Sequence, residues 1–140
     1  MPSSASYAVF PIAWVRSSLR RRAEAPRQGS EGAPDARVEI LPDFAKGLCG
    51  IEPGQEIVLL TWLHEAERDV LEVHPRDEPT KPLAGVFATR SPDRPNPIGL
   101  HRVRVLRVEG ERWLHVRPLE AIDGTPVIDI KPVLDPSLES

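Results

Sequence analysis

Apolar residues along this chain come in short runs separated by Gly, Pro and Asp. Such runs, rich in β-branched and aromatic residues and bounded by turn formers, are typical of β-strands. Many short strands with few helix-length periodic segments favour a barrel or a sandwich. The pattern predicts strands at Arg37–Leu41, Ile57–Leu63, Val70–Val73, Ala84–Thr89, Arg102–Val108, Arg112–Arg117 and Val127–Ile130, and an N-terminal strand over Tyr7–Val15.

The strands differ in their predicted burial. Ile57–Leu63 is nearly continuous in apolar residues, which predicts a central strand buried on both faces. Arg102–Val105 alternates apolar and charged residues, as a half-exposed strand does. Glu109 and Gly110 suit a hairpin turn before the next strand.

Helical signals are few. The best candidate is one or two turns from Asp43 to Leu48, with Asp43 as the N-cap and Gly50 shortly after its end. Residues 20–36 are expected to form the most mobile loop. The sequence has no heptads and no run of 18 apolar residues, so coiled coils and membrane spans are not expected.

Composition narrows the class of protein. A chain of 140 residues fits one domain, here 1–140, and its 16 prolines argue against a helical bundle. Cys49 is the only cysteine, which excludes an intramolecular disulfide and favours a reducing compartment, the cytoplasm. The Arg- and Ser-rich, acid-free start is also compatible with a transit peptide. No histidine spacing is typical of a metal site.

Net charge argues against polybasic binding to nucleic acid. The formal charge is −3, so any contact with RNA must be local. For any single arginine, a solvated face on a strand or loop is the better explanation. Positive charge clusters at Arg16–Arg27 and again at Arg102, Arg104, Arg107, Arg112 and Arg117.

The segment Thr89–Leu100 reads Thr-Arg-Ser-Pro-Asp-Arg-Pro-Asn-Pro-Ile-Gly-Leu. Its three prolines fix φ, remove backbone donors and push the preceding residues into extended conformations, which predicts a rigid loop. Such a loop would hold Arg90, Asp93, Arg94 and Asn96 in a preorganised binding site. A stiff connection without a ligand is the alternative.

The order of residues in Gly85–Gly99 closely resembles the signature of the TsaA-like (TrmO) family. Three further segments resemble that family in the same order, namely Pro26-Arg27-Gln28, Leu63-His64 and Asp123–Pro132. The resemblance implies a mostly-β protein, a small barrel of about six or seven strands with one or two short helices. It also implies a dimeric enzyme that uses S-adenosylmethionine to methylate N6 of threonylcarbamoyladenosine at position 37 of tRNA.

The resemblance also implies the cofactor site. No Gly-rich turn follows a strand, so a Rossmann-type site is excluded and the donor must bind to a barrel. Arg27 or Arg90 would pair with the methionine carboxylate. By resemblance the cofactor-binding residues are Pro26, Arg27, Gln28, His64, Glu65, Arg90, Leu100, Ile122, Asp123, Gly124 and Thr125.

Asn96 and Asp129 are the candidate catalytic residues, because an acceptor beside the adenine nitrogen helps it to lose a proton. Strand alternation puts Asp129 and Lys131 on one face, where a simple ion pair is the alternative. Trp14, Trp62 and Trp113 are expected in the core or an interface, with Trp62 the candidate to stack on a base.

Two alternatives remain open. Val133 stands where the family pattern has an aromatic residue, which weakens the prediction of a stacked substrate base. The chain can therefore be a non-catalytic sensor that binds S-adenosylmethionine or a nucleotide, or a methyltransferase for a different acceptor. A homodimer with its site at the interface is expected in either case.

Overall fold

The computed structural model describes residues 5–21, 25 and 32–134. The chain is mostly β, as predicted. Within these residues the strands are β1 (Ala13–Arg16), β2 (Ala36–Ile40), β3 (Glu56–Trp62), β4 (Glu72–Val73), β5 (Ala84–Gly85), β6 (Ile98–Glu109), β7 (Trp113–Arg117) and β8 (Pro126–Pro132). The helical segments are 3₁₀ helices at Pro42–Leu48, Pro75–Asp77 and Val86–Ala88.

Six strands close into an antiparallel barrel in the order β1-β2-β7-β6-β3-β8. The long strand β6 makes closure possible, because its first half pairs with β3 and its second half with β7. Strands β4 and β5 form a separate two-stranded sheet within the connection from β3 to β6. The predicted turn at Glu109 and Gly110 is the hairpin between β6 and β7, and Gly110 has φ +60°.

The alternation of inward and outward side chains along each barrel strand determines which residues form the core. Side chains of one parity point into the barrel and those of the other parity point outward. The inward set of β3 is Ile57, Leu59 and Thr61, and that of the first half of β6 continues from Gly99 to Val105. The core is completed by Ala13, Val15, Val38, Ile40, Leu114, Val116, Leu119 and Val127.

Four strand predictions need correction. Only Glu72 and Val73 form a strand in the predicted run Val70–Val73. Ile57–Leu63 is buried on one face only, because the barrel wall is a single layer with solvent outside. The N-terminal strand covers only Ala13–Arg16, and Tyr7 is exposed. Only Ala84 and Gly85 are strand in the predicted run Ala84–Thr89, since the backbone turns into a 3₁₀ helix at Val86.

The short helix lies where the sequence predicts it, but its start differs. Leu41 occupies the N-cap position without a side-chain capping bond, and Pro42 supplies the first helical residue. Asp43 therefore lies inside the first turn, where a carboxylate also suits the helix dipole. Gly50 has φ +97° just beyond the helix, as its predicted role requires.

Two β-bulges change which residues face outward. In β8, Asp129 pairs with Leu60 while Val127 pairs with Thr61, so Ile128 is the extra residue. In β6, Val105 pairs with Val116 while Arg107 pairs with His115, so Leu106 is extra. Each bulge lets a polar residue, Asp129 or Arg107, lie outside the barrel while its apolar neighbours still pack inside.

The predicted site segments that the structure describes adjoin strand termini at one end of the barrel. Strands β1, β3 and β7 end there and β2, β6 and β8 begin there, as the antiparallel registers require. His64 and Glu65 directly follow β3, the proline-rich loop precedes β6, and Ile122–Thr125 precedes β8. In the part of the chain that the structure describes, no helix is long and apolar enough to cross a membrane.

Candidate functional site

The proline-rich loop is held against the turn that follows β3. The backbone N–H of Glu67 donates to Oδ1 of Asp93 at 2.9 Å, and the N–H of Arg94 donates to the carbonyl of Glu67 at 3.0 Å. Arg68 adds a side-chain contact, donating from Nε to the carbonyl of Pro95 at 2.7 Å. The loop thus has little freedom left, as its prolines predict.

Arg94 stabilises the loop from within. Its Nε donates to the carbonyl of Ser91 at 2.8 Å, and its Nη2 donates to the carbonyls of Thr89 at 2.6 Å and of Val86. Arg94 and Asp93 are therefore committed to contacts within the protein. Arg90, by contrast, is exposed and makes no hydrogen bond or ion pair with the described residues. Of the loop's two arginines, Arg90 is the one presented to a ligand.

Beside the loop lies an outward surface that we call the site face: Leu60 and Trp62 of β3, Ile98 and Leu100 of β6, and Asp129 of β8. Leu60 pairs with Leu100 on one side and with Asp129 on the other, and Trp62 pairs with Ile98. Leu100 and Asp129 thus lie about 10 Å apart, two strand spacings. Ile98 is 45% exposed and Leu100 49% exposed, so the face presents an apolar surface to solvent.

Asn96 lies at the edge of the site face. Its Oδ1 accepts a hydrogen bond from Nη2 of Arg68 at 3.1 Å, and the guanidinium of Arg68 lies 5.1 Å from the centre of the Trp62 ring. Trp62 is half-buried, and Arg68 lies over its ring. It therefore lies outside the core, and it is the tryptophan that the sequence analysis set apart as a candidate to stack on a base. No described residue accepts a hydrogen bond from the Asn96 amide N–H groups, so these donors are available to a ligand.

Asp129 and Lys131 share an outer face, as strand alternation predicts. Their Oδ2 and Nζ atoms lie 3.5 Å apart, and Oδ1 of Asp129 accepts the N–H of Ile130 at 2.9 Å. The Asp129 side chain remains 48% exposed, so an incoming group can reach it.

The segment Ile122–Thr125 forms a tight turn at the end of β1. Oδ1 of Asp123 accepts the N–H of Ser17 at 3.0 Å, and its Oδ2 accepts Nη1 of Arg20 at 3.0 Å. Gly124, with φ +82°, donates to the carbonyl of Val15. The side chains of Ile122 and Thr125 are buried, so of this segment Asp123 and Gly124 are the more accessible.

The remaining predicted cofactor residues divide into two groups. His64 and Glu65 are exposed neighbours whose Nε2 and Oε2 atoms lie 3.7 Å apart. Pro26, Arg27 and Gln28 lie outside the described residues.

A buried polar network under the site face was not foreseen from the sequence. Oγ1 of Thr61 lies 2.7 Å from Nε2 of His101, and Nδ1 of His101 lies 2.5 Å from Oε1 of Glu120. An ionised carboxylate only accepts, so with a neutral ring Nδ1–H donates to Glu120 and the Thr61 hydroxyl donates to Nε2. Thr61 is 0% exposed and His101 5% exposed, which gives them a structural role in holding β3, β6 and the 119–125 segment together. His101 occupies an inward position in the alternating pattern of β6, and this alternation could have predicted its burial from the sequence.

Trp14 and Trp113, expected in the core or an interface, lie outside the core. Trp14 and Trp113 are half-buried on the outer side of the barrel, because their strand positions alternate with inward residues. Trp113 lies beneath two guanidinium groups, those of Arg37 at 4.4 Å and of Arg112 at 5.1 Å.

Comparison with known proteins agrees with this architecture. Residues 14–137 match the family model described as the tRNA-methyltransferase O N-terminal domain. A probable S-adenosyl-L-methionine-binding protein of Methanothermobacter thermautotrophicus is 45% identical over 124 residues, 89% of this chain and 88% of that protein. An S-adenosyl-L-methionine-binding protein of Archaeoglobus fulgidus is 47% identical over 121 residues, 86% and 85% of the two chains.

The solved structures add a match of the fold. The crystal structure of TrmO from Pseudomonas aeruginosa superposes with a TM-score of 0.74 at 34% identity over 94% of this chain. This chain covers 58% of that protein's chain, so it spans less than two thirds of the solved structure's length.

Proposed function

Because this chain belongs to the tRNA-methyltransferase O N-terminal domain family, we propose that it is an S-adenosylmethionine-dependent methyltransferase acting on N6 of threonylcarbamoyladenosine at position 37 of tRNA. The observation that carries the proposal is the rigid loop on the matched domain, which leaves Arg90 exposed and leads directly into the apolar outer residues Ile98 and Leu100. Two relatives named as S-adenosyl-L-methionine-binding proteins, each matched over more than four fifths of its length, support the cofactor. A cytoplasmic location is part of the proposal.

The described residues offer groups that suit this cofactor. Arg90 can pair with its carboxylate, Asp123 retains lone pairs for its ammonium or ribose hydroxyls, and Leu100 offers apolar contact to its purine. His64 and Glu65, next to the end of β3, are further candidate contacts. When bound, S-adenosylmethionine supplies an activated methyl group. The protein's own task is then mainly to hold the acceptor nitrogen in line with it.

Asn96 and Asp129 are proposed to serve the acceptor. The amide N–H groups of Asn96 can orient an adenine, and the exposed carboxylate of Asp129 can accept a hydrogen bond or the departing proton of N6. Both side chains border the same apolar face, which supports their working together.

We propose that two copies of the chain complete the site. The loop and the site face lie where β3 ends and β6 begins, whereas Ile122–Thr125 lies against the end of β1. A partner covering the exposed side chains of Ile98 and Leu100 would enclose the cofactor and remove apolar surface from water. Light scattering should give twice the mass of the chain, and a monomeric mass would refute the dimer.

Calorimetric titration with S-adenosylmethionine tests the cofactor site. Arg90→Ala should weaken binding about tenfold or more, because it removes a charge-assisted hydrogen bond. Lys46→Ala, which removes an exposed cation from the 3₁₀ helix at Pro42–Leu48, is the matched control and should bind as the parent does. Equal affinities for all three proteins would exclude Arg90 from the site.

The acceptor needs a separate assay. Methyl transfer should occur with tRNA that carries threonylcarbamoyladenosine and be absent with the same tRNA lacking that modification. Transfer to both would indicate a different acceptor. Cofactor binding without any transfer to RNA would favour a sensor. Asp129→Asn should lower the transfer rate with little change in cofactor affinity if its role is to accept the proton.

A further inference from the structure

The outer surface of β1, β2, β7 and the second half of β6 is rich in arginine, and we call it the arginine face. It also includes Arg102 and Arg104 on the first half of β6, where they follow Leu100 on the same side of the strand. Residues two apart on a strand lie about 6.8 Å apart, so this row leads continuously away from the site face. The bulge at Leu106 extends the row, because it turns Arg107 outward.

Carboxylates on the arginine face are shared between cations. Glu39 contacts Arg16 at 2.9 Å and Arg112 at 2.6 Å, and Glu56 contacts Arg102 at 2.6 Å and Arg104 at 3.7 Å. Hydrogen bonds from Arg112 and then from Arg16 lower the pKa of Glu39. Each such carboxylate neutralises only one of its two partners.

The other ion pairs on the arginine face each join one arginine to one carboxylate, so they do not change the excess of positive charge. Arg107 lies 3.6 Å from Glu109, and Arg117 makes a double hydrogen bond to Asp35. Counted over the described residues of β1, β2, β6 and β7, the turn between β6 and β7, and the paired Asp35 and Glu56, seven arginines face five carboxylates, a formal surplus of two positive charges. The chain as a whole carries −3. The arginine face is therefore a local basic surface on an acidic protein.

The face also carries an aromatic platform. The guanidinium groups of Arg37 and Arg112 lie within 5.1 Å of the centre of the Trp113 ring. Both guanidinium groups lie over the ring, and planar guanidinium groups can themselves stack on unstacked nucleobases while their donors suit phosphate oxygens.

A cleft joins this face to the candidate cofactor site. It has a volume of about 540 Å³, and its lining includes Arg16, Arg20, Arg37 and Asp123, with Arg20 hydrogen-bonded to Asp123. Asp123 belongs to the predicted cofactor segment. A polyanion lying on the arginine face would therefore have an open path to the end of the barrel where the site residues lie.

We propose that the arginine face is the surface that binds the tRNA backbone, with Arg37 and Arg107 among its phosphate contacts; this inference rests on the proposed function. The charge surplus selects a polyanion. The Trp113 platform favours RNA over an acidic protein, since every base has a face that can stack. Surface ion pairs are weak enough for phosphates to displace the carboxylates.

Salt-dependent binding of modified tRNA tests the proposal. The double variant Arg37→Gln/Arg107→Gln is compared with the parent and with Lys46→Gln/Lys81→Gln, which loses the same charge away from the face. Two lost phosphate contacts should weaken binding about 25- to 60-fold at about 0.1 M salt and lower the slope of log affinity against log salt by about 1.4 to 1.8. The lysine control should keep the parent's slope, and both variants should bind S-adenosylmethionine as the parent does.

Several outcomes would overturn the inference. Equal weakening in the two double variants would mean that only net charge matters. Unchanged tRNA affinity in the arginine variant, with transfer by the parent intact, would refute this surface while leaving the proposed function standing. A parent that binds S-adenosylmethionine but not tRNA would refute both. Polyglutamate that binds the parent as tightly as tRNA, and not the arginine variant, would assign the face to an acidic protein.

Discussion

Gly99 is the position where a single methyl group should cost most. It lies on the inward side of β6, and a Cβ placed there would lie 2.4 Å from Oγ1 of Thr61 and 2.7 Å from Nε2 of His101. Those two atoms are hydrogen-bonded to each other inside the barrel. Gly99→Ala must therefore displace the hydroxyl or the imidazole and break their bond.

The expected cost follows from two contributions. Overpacking a filled core costs about 1 to 3 kcal/mol. Leaving a buried hydroxyl or ring nitrogen without its partner costs about 1 to 3 kcal/mol more. Because such costs are not strictly additive, we expect Gly99→Ala to lower the free energy of unfolding by about 2 to 5 kcal/mol.

Urea unfolding measures this loss, and Gly47→Ala is the matched control. Gly47 lies in the 3₁₀ helix at Pro42–Leu48 with open space around its Cβ position and no positive φ. Its replacement should leave stability unchanged or raise it by about 0.4 to 1 kcal/mol through the unfolded chain. A Gly99→Ala protein as stable as Gly47→Ala would refute the packing argument. The double variant Gly99→Ala/Thr61→Ala can be compared with the sum of the two single losses of stability. If it is more stable than that sum by about 1 kcal/mol or more, the Thr61 hydroxyl is the group that clashes with the added methyl.

Three further predictions concern other contacts. Arg68→Leu should weaken S-adenosylmethionine binding about three- to tenfold in calorimetry, because it releases the proline-rich loop, and Arg68→Lys should restore only part of it. Thr61→Val should lower unfolding free energy by about 1 to 2 kcal/mol in urea, and Thr61→Ser should not. Arg112 and Arg16 lower the pKa of Glu39 below its ordinary 4.5, so its contribution to stability is present above that pH and lost as pH falls through the folded pKa. Glu39→Gln should flatten this acid loss in pH-dependent melting, and an unchanged profile would contradict the assignment.

Local sequence determined the elements that depend on neighbouring residues. Alternation and turn formers predicted the strands around Ile57, Arg102, Trp113 and Val127, because side-chain parity is set within a strand. Three prolines predicted a rigid loop, because proline restricts its own φ and the residue before it. The family resemblance arose from the same segments.

Tertiary structure decided which of these residues are free to act. Asp93 and Arg94 looked like ligands in the loop, but their partners on the turn after β3 and on residues 86–91 make them structural. Arg90 has no such partner among the described residues. The sequence does not distinguish the bonded Arg94 from the exposed Arg90, because each arginine is followed within two residues by a proline.

Closure of the barrel decided which residues from distant parts of the chain come together and which side chains face outward. It brought Thr61, His101 and Glu120 together from three parts of the chain, and the bulges at Leu106 and Ile128 turned Arg107 and Asp129 outward. Parity along one strand is local information. The identity of the neighbouring strand and the register between the two depend on how the whole chain packs, and only the folded barrel supplies them.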